Sequence, residues 1–78
     1  MQNTNTRDEI AAEVRAAAAR AGISNAELAQ RTGMSHQSVL RKMRGERPVS
    51  VEELIQIANA VGCRASDLLP RQKQADAA

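Results

Sequence analysis

The stretch from Ser24 to Gly45 constrains this chain more than any other, because it asks for two short helices separated by one glycine. Ser24-x-x-Glu27 has the form of a capping box, in which the serine oxygen takes an orphan N–H and the glutamate returns the bond, so a helix is predicted over 25–32. Leu28 and Ala29 give that helix its inner face. Thr32-Gly33 ends it, since glycine reaches the left-handed conformation of a helix stop without steric cost. Ser35 is placed to cap a second helix over 36–44, and Gly45 supplies the next stop.

The rest of the chain reads as support for that pair. Thr6-x-x-Glu9 is a second capping box and predicts a first helix over 6–21, with Asp8 and Glu9 suited to its N-terminal dipole. Ile10, Val14, Ala17, Ala18 and Ala21 define its expected buried stripe, and Gly22 ends it. The alanine run 16–19 is scaffold: alanine favours helix, and its small size lets neighbours dock closely. Ile23, just before the Ser24 cap, is placed to staple against the next helix. After a loop ordered by Pro48, Ser50-x-x-Glu53 opens a helix over 51–61, with Val51, Leu54, Ile55, Ala58 and Val61 expected on its core face and Ile57 to one side. Gly62 closes it, and a short fifth helix over 66–69 is stopped by Pro70. The expectation is an all-α, compact five-helix bundle without strands: one domain over 6–70, a disordered N-terminus over 1–5 and a flexible tail over 71–78.

Composition excludes several functions. The sequence has no Phe, Tyr or Trp, which removes the base-stacking platform of single-strand binders and of most RNA-recognition modules. His36 is the sole histidine and Cys63 the sole cysteine, so no catalytic triad, metal pair or intramolecular disulfide can be assembled around them. Cys63 reads as a small buried hydrophobe near a helix end rather than a redox switch. The carboxylates are dispersed in caps and exposed positions, and the four glycines are isolated helix stops rather than a phosphate loop. No enzyme, cofactor, metal or small-molecule ligand is expected. No stretch approaches membrane-spanning length and the N-terminus lacks a leader pattern, so a soluble cytoplasmic protein is expected. The formal net charge of +2 is unevenly spread. Between 31 and 47, Arg31, Arg41, Lys42, Arg44 and Arg47 face Glu46 alone, whereas Glu52, Glu53 and Asp67 outnumber Arg64 between 50 and 69. A basic patch on the second short helix is the footprint expected of a phosphate-contacting face.

Two helices joined by a short glycine-containing turn are the helix-turn-helix arrangement. Ala29, Gly33 and Val39 supply a small residue at the helix crossing, a glycine in the turn and a branched aliphatic that pins the second helix. With Ala-Glu-Leu-Ala-Gln-Arg-x-Gly-Met-Ser (26 to 35), Arg-Gly-Glu-Arg-Pro (44 to 48), Leu-Ile-Gln-Ile-Ala-Asn-Ala-Val-Gly (54 to 62) and Asp-Leu-Leu (67 to 69), the chain resembles the phage repressor and Cro family, also called xenobiotic-response-element-like, from about Ile10 to Leu69. One departure stands out: the family usually has an aliphatic residue at the position of Lys42, whereas here the apolar residue comes one later, at Met43.

The resemblance implies a lambda-repressor-like domain that reads the major groove of double-stranded operator DNA with helix 36–44. Gln37 and Arg41 are its candidates for base edges, glutamine pairing with adenine and arginine with guanine, and His36 is placed to donate to a base or phosphate. Asn25, Ser35, Ser38, Lys42, Arg44 and Arg47 are the implied backbone contacts, which set register without reading sequence. Leu40 is open between a thymine-methyl contact and the core. A small Cro-like or stand-alone repressor acting as a homodimer is implied, with Ile57, Leu68 and Leu69 as dimer-face candidates. The competing reading is a protein-interaction module, such as an antitoxin or anti-activator, with a vestigial helix-turn-helix. The cluster of Arg41, Lys42 and Arg44 beside polar His36, Gln37 and Ser38 counts against it.

Overall fold

The structure, a computed structural model, describes residues 6–70; the expectations for 1–5 and 71–78 fall outside that range. The described chain forms four α-helices and one 3-10 turn: α1 (Thr6–Ala21), α2 (Asn25–Thr32), α3 (His36–Met43), α4 (Val51–Val61) and the turn Ala65–Leu68. No strand occurs among the described residues. The expected fifth helix over 66–69 is therefore a single 3-10 turn. Between Gly62 and Pro70 there is too little chain for a regular helix, and the Asp67 carboxylate accepts the Arg64 N–H at 3.1 Å to hold the tight turn. The third helix also stops short of 36–44, with Arg44 as its C-cap.

Three serines set the helix starts. Ser24, Ser35 and Ser50 accept the N–H of Glu27, Ser38 and Glu53, each at 3.1 Å. Only the last closes into a full box, where Glu53 Oε1 accepts the Ser50 N–H at 3.0 Å. Glu27 instead turns along its own helix to Arg31 at 2.7 Å, so the expected box at Ser24 is half formed. Thr6 lies inside α1 rather than ahead of it.

Two glycines shape the segment around α3. Gly33 sits at φ 77° and returns its N–H to the Ala29 carbonyl at 2.9 Å, ending α2 sharply enough for α3 to cross it. Gly45, at φ 78°, ends α3 in a Schellman motif: its N–H reaches Lys42 O at 3.1 Å, and the Glu46 N–H reaches Arg41 O at 2.9 Å. Gly45 also lies against Asp8 at the start of α1, where a Cβ would overlap the carboxylate.

The core draws on every element: Ala11, Val14, Ala17 and Ala18 of α1, Leu28 and Ala29 of α2, Val39 and Met43 of α3, Leu54, Ile57 and Ala58 of α4, and Leu68 of the 3-10 turn. Alanine dominates the α1 contribution, so the helices that pack on it approach closely without an aromatic ring to fill space. Several sequence expectations change here. Ala11 rather than Ala21 faces inward on α1. On α4 the buried run follows Leu54, Ile57, Ala58 and, half-buried, Val61, the i, i+3, i+4, i+7 spacing of one helical face. Ile55 lies about a quarter turn off that face and is 47% exposed, while Val51, the first residue of the helix, is 74% exposed. Ile57 and Leu68 are 2% and 1% exposed inside the chain's own core, which corrects their assignment to a dimer face; of the three candidates only Leu69 is exposed.

Candidate nucleic-acid interface

The placement of α3 follows from what holds its inner side. Val39 and Met43, one turn apart, are buried against the other helices. Arg15 of α1 donates through Nη1 to the Met43 carbonyl, placing a cation at the C-terminal end of α3 where the helix dipole favours one. Lys42 makes the third attachment. Its side chain is only 13% exposed, and its ammonium lies 2.8 Å from Glu53 Oε2 and 2.9 Å from Ser38 Oγ. Where the family pattern has an aliphatic residue, this chain has a half-buried lysine whose charge Glu53 at the start of α4 compensates, while Met43 enters the core. That carboxylate thus caps α4 through one oxygen and binds α3 through the other. The Lys42 hydrogen bond, then the Ser50 N–H, hold the Glu53 carboxyl below its ordinary pKa.

With those residues turned inward, α3 exposes His36, Gln37 and Arg41, while Ser38 and Leu40 are half-buried. Ser35, Gln37, Ser38 and Arg41, joined by Arg47 from the following loop, line one open hollow of about 240 Å³. Arg41 and Arg47 make no ion pair among the described residues. Arg44 is exposed and lies 3.8 Å from Glu46, a surface pair too long and too solvated to hold it. His36 opens the helix from an exposed position. Asn25 is half-buried and lines a different hollow, with Arg15, Ile23 and Met43, beside the C-terminal end of α3.

The basic patch is therefore smaller than the sequence implied. Arg31 donates to the Ala60 carbonyl at 2.9 Å and to Glu27, joining α2 to α4. Lys42 is likewise committed to the joint between α3 and α4, which corrects its expected place among the phosphate contacts. Of the exposed cations left in the segment, Arg41 and Arg47 line the hollow and Arg44 lies outside it. Sequence reasoning missed Arg15 and the second role of Glu53. Glu53 carried a signal, since a lysine where the pattern wants an apolar residue calls for a nearby carboxylate; Arg15 carried none.

Nothing else among the described residues competes as a site. No group of three or more His, Cys, Asp or Glu side chains is placed to hold a metal ion, and no helix is long and apolar enough to cross a membrane. The Cys63 thiol is half-buried against the core, and burial raises its pKa, the opposite of what a reactive thiolate requires.

A family model described as a helix-turn-helix domain matches residues 9–71. Among solved structures, the clp gene regulator ClgR from C. glutamicum is similar at 27% identity and a TM-score of 0.80, over 85% of this chain and 86% of that one. The restriction-modification controller protein C.AhdI from Aeromonas hydrophila is similar in fold, with a TM-score of 0.77 at 24% identity over 81% of this chain and 96% of that one. A hypothetical transcription factor, NHTF from Neisseria, shares the fold with a TM-score of 0.80 at 24% identity over 90% of this chain and 80% of that one. No curated protein matches the sequence significantly.

Proposed function

The chain belongs to the helix-turn-helix domain family, of the phage repressor and Cro type, and on that premise we propose that it is a sequence-specific transcriptional regulator whose α3 enters the major groove of double-stranded operator DNA. The observation that carries this reading is the hollow in which Gln37 and Arg41, one helical turn apart, open beside Arg47 while Arg31 and Lys42 are bound internally. A scaffold that ties up some cations and leaves two unpaired next to an amide is suited to a partner that brings hydrogen-bonding edges and negative charge together.

In this reading Gln37 and Arg41 contact base edges, and His36 contacts a base or phosphate at the mouth of the groove. Asn25, Ser35, Ser38, Arg44 and Arg47 contact the backbone. The functional unit is a symmetric homodimer that occludes or adjusts polymerase access at a two-half-site operator, because one such module spans a short footprint and half-sites one helical turn apart add their contacts. Leu69, with Val51 and Ile55, supplies the large exposed aliphatic surface available to such a dimer.

The test is a pair of salt titrations, on a duplex selected from a randomised library and on random duplex. Gln37→Ala or Arg41→Ala is expected to cost about 1–3 kcal/mol on the selected duplex and much less on random DNA. Arg47→Ala is expected to weaken both alike and to reduce the salt slope by about 0.9 for each phosphate no longer neutralised. Equal losses on both duplexes for Gln37→Ala, with altered base preference for Arg47→Ala, would invert the assignment. Sedimentation showing a monomer both free and on the selected duplex would remove the dimer.

A further inference from the structure

Lys42 does more than join two helices. Its ammonium has three N–H donors and no lone pair, and it lies 2.8 Å from Glu53 Oε2, 2.9 Å from Ser38 Oγ and 3.9 Å from Met34 Sδ. Between Lys42 and Ser38 the ammonium must therefore donate and the hydroxyl oxygen accept. The Ser38 hydrogen is repelled by the positive charge and points away from it. No acceptor among the described residues takes that hydrogen, and Ser38 lines the hollow with Gln37, Arg41 and Arg47. We propose that Lys42, without itself facing the groove, fixes Ser38 as a hydrogen-bond donor toward an acceptor atom of the duplex, either a purine N7 or a phosphate oxygen.

This inference rests on the DNA-binding reading and sharpens it. A free serine hydroxyl rotates to donate or accept as its partner requires, and so discriminates poorly. Held by an ammonium, the Ser38 oxygen has a polarised O–H, the charge-assisted arrangement that strengthens a donor. Ser35 is directed in a similar way, since its oxygen already accepts the Ser38 N–H at 3.1 Å. With Arg41 and Arg47, which only donate, the hollow presents donors, and Gln37 is left as its amide acceptor for an exocyclic amino group. Lys42 is thus a positioning residue, and Glu53 keeps its ammonium in place.

The experiment starts from a duplex selected with the wild-type protein. Each purine in turn is replaced by its 7-deaza analogue, which removes the N7 acceptor, and each phosphate by a methylphosphonate, which removes the anionic oxygen. One substitution is expected to weaken wild type by about two- to tenfold, the range of an ordinary hydrogen bond, to leave Ser38→Ala indifferent and to weaken Lys42→Met, whose hydroxyl is free to rotate, measurably less than wild type. Ser38→Thr, which keeps the hydroxyl, should respond as wild type does. Sensitivity in the deaza series names the base as acceptor, and sensitivity in the methylphosphonate series names the backbone. A Lys42→Met protein that retains the wild-type profile overturns the proposal. So does a Ser38→Ala profile identical to wild type at every position, and Ser38→Ala decides the matter alone if Lys42→Met does not fold. A merely structural role for Lys42 would scale all affinities together and leave the profile unchanged. If wild type selects no duplex at all, the DNA-binding reading falls as well; if it selects one that depends on Arg41 and Gln37 but not on Ser38, only this inference falls.

Discussion

α3 and α4 are built by the same local rules and end with opposite outer faces. Each is opened by a serine that caps an N–H three residues on, and each buries its core residues at helical spacing. Yet α3 shows solvent His36, Gln37 and Arg41 with no acid in its first turn, whereas α4 begins with Glu52 and Glu53 and shows solvent Val51 and Ile55. Folding dictates the inner faces and is nearly indifferent to the outer ones, so the contrast between the outer faces is not one that packing of the core imposes. α4 satisfies its N-terminal dipole with its own carboxylates, while α3 relies on the Ser35 cap alone.

The largest expected effect tests which face of α4 is inward. Ile57→Ala should lower unfolding free energy by about 2–5 kcal/mol in a urea titration, and Ile55→Ala by no more than about 0.5 kcal/mol. Comparable losses from the two would mean that the α4 faces are exchanged and that the contrast with α3 is drawn on the wrong residues. A smaller effect separates the caps. Ser50→Ala, which opens the reciprocal box, should cost about 0.5–2 kcal/mol, and Ser24→Ala, which breaks a one-way cap, should sit toward the lower end of that range. An equal or larger loss at Ser24 would show that Glu53 adds nothing by closing the box.

The smallest effect lies in the tie between the two helices. The Glu53 pKa is depressed in the folded chain, so its contribution to stability is fully present above the ordinary carboxylate value and is lost as pH falls through the lower, folded value. Melting temperature followed downward from neutral pH should therefore fall through this acid window more steeply for wild type than for Glu53→Gln. Parallel profiles would mean that the carboxylate and Lys42 do not interact appreciably in solution.

The capping serines and terminal glycines make the two central helices legible in the sequence, because each of those signals acts within four residues of itself. The hollow is legible in part: Gln37 and Arg41 stand out through their place on a recognisable motif. What local signals do not supply is the partnership between distant residues. In the sequence Arg31 and Lys42 count as charges on a patch, whereas in the fold the carbonyl of Ala60 and the carboxylate of Glu53 lie beside them. The α4 stripe departs from expectation for a related reason. Val51 and Ile55 are as apolar as Leu54 and Ile57, and hydrophobicity alone does not say which of two overlapping spacings meets the bundle.

The ion pair between Lys42 and Glu53 also constrains how this sequence can change over generations. A substitution at either position alone strands a partly buried charge on the other, so the cost of one change depends on whether the other has already occurred. Descendants can return Lys42 to an aliphatic side chain readily only after position 53 has become tolerant of losing its partner, and that same position caps α4. Drift on α3 is thereby coupled to α4 behind it, and variants of this chain that keep the lysine are expected to keep the glutamate.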